Sequence, residues 1–339
     1  MPSSLNDIDE NNVEADEANS RRHVVVLWVA LLGILVGAFA LTTLALNSTV
    51  YSAGGFVTSY LQSLQRGSID EALATPGVLT LRSLSTELLT SDSLGELTGF
   101  TITSDVDEGG GIHLVSYEAT LGGASGSGSF QVLQGHNRFG LFSTWAFLQS
   151  PVSELRVTPL HDKSFAVNGI QLVSPEGANV ATSYQVLTPG FFTVTHTSPF
   201  LTATPVSTAV TTPGEAVPLV LDIRASQKLV EDVQDQVHIF LDACATQEVL
   251  FPTGCPFGQS IYNQVVSAPQ WSMVTYPTVT IEPGNDPGTW VVPETQATAH
   301  LTVKVRSLFD GSLSTFDEDV PFGMSWVMTI DGTRIDIQR

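Results

Sequence analysis

Residues 24–46, VVVLWVALLGILVGAFALTTLAL, run for 23 positions without a charge, follow Arg21-Arg22-His23 and precede 293 further residues of mixed composition. A helix rises about 1.5 Å per residue, so this stretch is long enough to cross a hydrocarbon core roughly 30 Å thick. Arg21 and Arg22 at its leading edge predict an N-terminus held on the cytoplasmic face, with everything after about Asn47 outside the cytoplasm. A cleaved secretory signal is the competing reading, because Ala38-Phe39-Ala40 is a small-residue pattern after a basic start. The run continues past Ala40, however, and is longer than the roughly 7–15 residues usual for a signal core, which favours a membrane anchor. Gly33 and Gly37 are spaced as small-xxx-small and would let two such helices pack closely, so a homodimer through this face is one expectation.

On the N-terminal side, residues 1–22 carry Asp7, Asp9, Glu10, Glu14, Asp16 and Glu17 with few apolar residues, and read as a disordered acidic cytoplasmic tail. The whole chain has a net charge of -21. Without the six acids and two arginines of the first 46 residues, 11 basic and 28 acidic residues remain, a balance of -17. Such a surface repels nucleic acid, and no basic cluster reverses it. The two cysteines, Cys244 and Cys255, flank a Pro- and Gly-containing loop, and an oxidising compartment predicts a disulfide between them. A zinc site would need further ligands at ligand spacing, and none is present.

On the C-terminal side of the span (23–47), three regions follow. In 51–150, Phe56, Tyr60, Leu61 and Leu64 share a helical face. Ser68-Ile69-Asp70-Glu71 matches a capping box that opens a second helix. A further helical patch is predicted near Leu81–Leu89, then extended runs at 100–104, 112–120, 129–134 and 139–148. Helices followed by sheet indicate α+β. Tyr60-Leu61-Gln62-Ser63-Leu64-Gln65-Arg66-Gly67-Ser68-Ile69-Asp70-Glu71-Ala72 and the closing Phe139-Gly140-Leu141-Phe142-Ser143-Thr144-Trp145-Ala146-Phe147 resemble NTF2-like (cystatin-like) extracytoplasmic domains. That resemblance covers about one third of the chain and implies helices laid across a curved antiparallel sheet.

In 151–225, short extended runs split by Pro and Gly predict a small all-β sandwich module. The turn Val167-Asn168-Gly169 and Thr188-Pro189-Gly190-Phe191-Phe192-Thr193-Val194 resemble β-sandwich repeats of bacterial surface proteins. They are also similar to inner modules of the teicoplanin-resistance-associated membrane protein family, which implies modules hung from one membrane helix. Residues 197–213, rich in Thr and Pro, read either as an extended strand or as a stiff linker. In 226–339, Leu229, Val233, Val237, Phe240, Leu241 and Cys244 recur at helical spacing. Strands are predicted at 271–276, 279–282, 289–292, 298–306 and 320–330. Helix followed by meandering sheet makes this a C-terminal α+β domain, also compatible with a cystatin-like layout.

Catalytic signatures are missing. Gly122-Gly123-Ala124-Ser125-Gly126-Ser127-Gly128 lacks nucleophile-elbow spacing and reads as a flexible hairpin tip, and no Ser-x-x-Lys motif accompanies Lys163, Lys228 or Lys304. The seven histidines form no metal-binding pair, with His113 in a strand and His136 and His161 in turns. Asp105-Val106-Asp107-Glu108-Gly109 reads as a solvated hairpin loop and Asp317-Glu318-Asp319 as a solvated charge run. Residues that would line an NTF2-like cone, including Val115, Tyr117, Phe130, Val132, Trp145 and Phe147, are apolar or aromatic. No catalytic residue, metal or cofactor is expected. The reading is a non-catalytic, single-pass cell-envelope protein whose outer modules bind a protein or wall-associated partner. The alternatives are a small-ligand sensor using an NTF2-like pocket and, behind it, an NTF2-like enzyme.

Overall fold

The computed structural model describes residues 9–137, 140–331 and 334–338, and shows a mixed α+β protein built mostly of sheet, with one apolar helix at its N-terminus. Helix α1 spans Asp9–Asn47. Its segment Arg22–Asn47 is long and apolar enough to cross a membrane, and none of it is buried against the rest of the chain. The acidic residues from Asp9 onward belong to this same helix, whereas composition predicted disorder there. The apolar run supplies the length that propagates the helix backward. Residues 1–8, and the side chains of residues 9–21 including Arg21, lie outside what the structure describes.

The chain divides into two compact units, Met1–Leu79 with Thr98–Thr120 and Ser125–Pro151, and Thr80–Leu97 with Leu121–Ala124 and Val152–Arg339. In the first, α2 (Ala53–Gln65) starts where the Ser52 hydroxyl accepts the Gly55 N–H, and buries Ala53, Val57, Tyr60, Leu61 and Leu64 at helical spacing. It stops at Gly67, whose φ of +70° is the left-handed conformation that ends helices. There the Gly67 N–H bonds Leu64 O and the Ser68 N–H bonds Ser63 O. That turn commits Ser68, so the predicted capping box does not form: α3 (Ile69–Leu73) has no side-chain cap, and Glu71 pairs with Arg66 at 2.7 Å.

Strands β1 (Leu97–Gly109), β2 (Ile112–Leu121), β3 (Ala124–Gln134) and β4 (Trp145–Phe147) form a sheet in that order. Four expectations fail here, the last in part. Residues 81–89 form turns rather than a helix, because Ser83, Ser85, Thr86 and Thr90 offer the backbone competing local bonds, such as Ser85 Oγ to the Glu87 N–H. The Gly/Ser-rich stretch 124–128 is strand, with the turn confined to Gly122-Gly123, both at positive φ. Residues 105–108 are strand rather than loop, with the turn at Gly110-Gly111. Of the extended run 139–148 only Trp145–Phe147 is strand, and Phe139 lies outside the described residues.

The second unit holds β5 (Val152–Leu160), β6 (Ser164–Val167), β7 (Ile170–Val173), β8 (Thr182–Leu187), β9 (Gly190–Thr195), β10 (Leu201–Ala203), β11 (Val206–Val210) and β12 (Ala216–Ala225). They make two four-stranded sheets, β10-β12-β5-β8 and β11-β9-β6-β7. Asn168 at φ 49° and Gly169 at φ 88° form the two-residue turn that pairs Val167 with Ile170, the geometry whose twist suits a hairpin. Leu155, Val157, Tyr184, Val186, Leu221 and Ile223 from one sheet share a buried cluster with Phe165, Val167, Phe192 and Val194 from the other. The Thr- and Pro-rich stretch 197–213 contributes β10 and β11, so it is paired strand and not a linker.

Helix α4 (Gln227–Ala245) begins at Ser226, whose hydroxyl accepts the Leu229 N–H, and buries Leu229, Val233, Val237, Leu241 and Cys244. β13 (Gln264–Val265), β14 (Gln270–Thr275) and β15 (Glu282–Pro283) each pair with β16 (Thr289–Arg306), which pairs with β17 (Leu313–Asp331) and through it β18 (Arg334–Gln338). The runs 289–292 and 298–306 are one strand: a register shift between Val292 and Thr295 accommodates Pro293 without ending the pairing. Within the predicted strand 320–330, Val320, Phe322, Met324, Met328 and Ile330 alternate into the same cluster as the sandwich interior, with Trp326 partly buried against it.

Candidate functional site

The span ends in a built joint. Asn47 Nδ2 donates to Leu141 O at 2.7 Å, and Asn47 Oδ1 accepts the Ser143 N–H at 3.2 Å. Four residues on, Tyr51 O accepts the Trp145 indole N–H at 2.8 Å while the Tyr51 ring lies 4.6 Å from that of Phe142. These bonds fix the end of α1 against the segment leading into β4. Gly55 is required beside this turn, because a Cβ there would lie 2.3 Å from Thr49 O.

Between this joint and the first turns of α2 lies a cleft of about 740 Å³. Its walls are hydroxyl-rich: Ser48, Thr49, Ser52, Thr58 and Ser59 from the α1–α2 side, Ser143 and Thr144 from the other. Tyr51, Phe56 and Trp145 supply aromatic surface, and Gln62 an amide. None of the lining residues carries a charge. The hydroxyl protons of Ser48 and Thr49 are directed to Ala45 O, that of Ser52 to Thr49 O, that of Thr58 to Gly54 O and that of Thr144 to His136 O. Outward, these groups therefore present lone pairs, an acceptor surface. Beside the cleft, Asp105 accepts the Gly54 N–H at 3.0 Å and meets His113 Nδ1 at 2.7 Å, and the His113 ring stands edge-on to Trp145.

The space between α2 and its sheet is occupied. Tyr60, Tyr117, Phe130 and Phe147 form a ring cluster with centroids 5.0–5.8 Å apart, and Val115 and Val132 are fully buried beside them. Burial holds the Tyr60 and Tyr117 hydroxyls well above the ordinary tyrosine range, so both stay protonated. Of the cone-lining residues named from sequence, Trp145 belongs instead to the cleft. In the second unit, burial and then the charge of Glu87 push the Tyr184 hydroxyl up to about 12.

Cys244 and Cys255 form a disulfide that ties the end of α4 to the following loop. Gly33 and Gly37 have open space around them, and Arg22 is exposed. His136 lies outside helix, strand and turn and His161 in a bend, whereas the sequence predicts turns for both; His161 Nε2 is 3.6 Å from Asp222. Among the described residues no group of His, Cys, Asp and Glu is arranged to hold a metal ion.

One cluster escaped the sequence reading. His300 on β16 stands between Asp319 (Nδ1, 2.7 Å) and Asp317 (Nε2, 3.0 Å) on β17, and Thr302 also donates to Asp317. These hydrogen bonds raise the His300 pKa above 6.5; Thr302 and then His300 lower that of Asp317. The only signal in sequence is that Asp317 and Asp319 share one strand face; pairing them with His300 needs the hairpin register. The second exposed feature is the tip of that hairpin, where Phe309 is 100% and Leu308 74% exposed. Ser307 Oγ accepts the Phe309 N–H, and the Gly311 N–H bonds Ser307 O, so the tip is held in shape. No family model, curated protein sequence or solved structure matches this chain.

Proposed function

We propose that this chain is a non-catalytic, single-pass envelope protein whose folded part lies outside the cytoplasm and serves as a binding surface for a protein or wall-associated partner. The observation that carries the reading is one unburied apolar helix joined to β-rich units, the second of which holds a disulfide. Arg21 and Arg22 favour a cytoplasmic N-terminus. The disulfide favours an oxidising compartment for Cys244 and Cys255. In the finer reading, the first unit is NTF2-like, supported by α2 packing its buried face through Tyr60 on Phe130 and Phe147 of an antiparallel sheet. The likeness to the teicoplanin-resistance-associated membrane protein family rests on the Asn168-Gly169 hairpin and the β9 strand hung behind a single span. The filled interior supports a binding surface over a small-ligand cone.

The preorganised, exposed Leu308–Phe309 tip is the natural probe of partner binding, since rigid apolar anchors dominate interface energetics. A photo-crosslinking amino acid at Phe309, activated in intact cells, is expected to give a discrete adduct with one envelope protein or with wall polymer. Adducts only to the chain itself, or none, would contradict the proposal.

A further inference from the structure

We propose that the cleft at the end of the span binds the uncharged, polyhydroxylated headgroup of a membrane glycolipid. This rests on the reading of residues 22–47 as a membrane span and adds a ligand class to it. Position comes first: Ser48 and Thr49 in the cleft wall directly follow Asn47, where the apolar helix ends. Its mouth therefore opens at the height of the lipid headgroups, and a headgroup enters it without its acyl chains leaving the bilayer. The volume of about 740 Å³ is that of a small-ligand site. The joint bonds of Asn47 and Tyr51 hold both walls in place, so the cleft is preformed.

The chemistry of the wall selects the headgroup. The hydroxyls of Ser48, Thr49, Thr58 and Thr144 have their protons turned to backbone carbonyls and keep lone pairs for a ligand that donates hydrogen bonds, while that of Ser52 also caps the Gly55 N–H. A phosphate offers only acceptors. The α2 N–H groups that would attract a phosphate are engaged, Gly54 N–H by the Asp105 carboxylate and Gly55 N–H by Ser52. No cationic side chain lines the cleft, and Asp105 beside it repels an anion. Sugar hydroxyls can donate to this array while their C–H faces lie on Tyr51, Phe56 or Trp145. Exposed Gln62 adds an amide donor for the ring and glycosidic oxygens.

The test uses the full chain carrying Ser59→Cys, an exposed position on α2, in lipid nanodiscs, with a membrane-impermeant maleimide reporting access to the introduced thiol. A glycosyl diacylglycerol, added to a phosphatidylcholine matrix at about ten times its dissociation constant, is expected to slow labelling about tenfold. Phosphatidylglycerol should not slow it. The free disaccharide of the same headgroup should protect far less, since its local concentration is not raised by the bilayer. Adding Gln62→Ala should weaken the glycolipid protection, while a thiol introduced by Glu71→Cys, outside the cleft, should label equally in every disc. Equal protection by phosphatidylglycerol, equal protection by free sugar, or no protection would overturn the proposal. In intact cells the Ser59→Cys thiol separates the two readings: if it is reached only after lysis the topology is wrong, and if it is reached from outside but unprotected in discs the ligand is wrong.

Discussion

Gly77 holds φ at +87°, and a Cβ added there would sit 2.3 Å from Phe147 O and 2.4 Å from its N, both backbone atoms that cannot swing aside. Gly77→Ala is therefore expected to destabilise the first unit by at least about 2 kcal/mol, read as a lower urea midpoint. An unchanged midpoint would mean that the chain does not pass so close. Phe130, 1% exposed among Tyr60, Tyr117 and Phe147, should cost about 3–5 kcal/mol on truncation to Ala, because the rings around it cannot collapse into the space. His300 offers a titration test. Its folded pKa lies above its unfolded value, so pairing with Asp319 and Asp317 stabilises the fold below the unfolded pKa and fades as pH rises through the folded one. Asp319→Asn should bring the His300 midpoint, followed by NMR, back toward 6.5; a midpoint that does not move would deny the pairing.

Elements with strong periodicity are legible in the amino-acid sequence. The α4 face from Leu229 to Cys244 and the alternating β17 positions lie buried where their spacing puts them, except Phe240 and Trp326, which are only partly buried, because each must cover an apolar core. Local chemistry with two outlets misleads. Ser68 and Glu71 have the residues of a capping box, but the turn that closes α2 claims Ser68 and an ion pair claims Glu71. Gly and Pro read as breaks, yet β3 runs through Gly126 and Gly128, and a bulge carries β16 past Pro293. The cleft is not legible at all. Its walls come from segments as distant as Thr49 and Trp145, brought together by the Asn47 and Tyr51 bonds. At this scale the disulfide is the sharpest handle. Its cysteines are 11 residues apart, and closing so short a loop restrains the unfolded chain by about 3 kcal/mol in the chain-entropy account. Cys244→Ser with Cys255→Ser should lower stability by about that amount, measured by denaturant unfolding of the purified protein, whereas equal stability with and without the bond would show that α4 is held by packing alone.

For the whole molecule, a charge of -21, one unburied apolar helix among the described residues and a covalent bond between the two cysteines are the observations on which the proposed arrangement rests, with the folded mass outside the cytoplasm. Composition and the first 50 residues suffice to propose that arrangement; partner and ligand depend on surfaces that only folding assembles. The direct measurement is the redox state of Cys244 and Cys255 in living cells, trapped by acid quench and read by mass-tagged maleimide with and without prior reduction. The account predicts no tag before reduction and two tags after it. Two tags without reduction, from a chain recovered in the soluble cytosolic fraction, would contradict it.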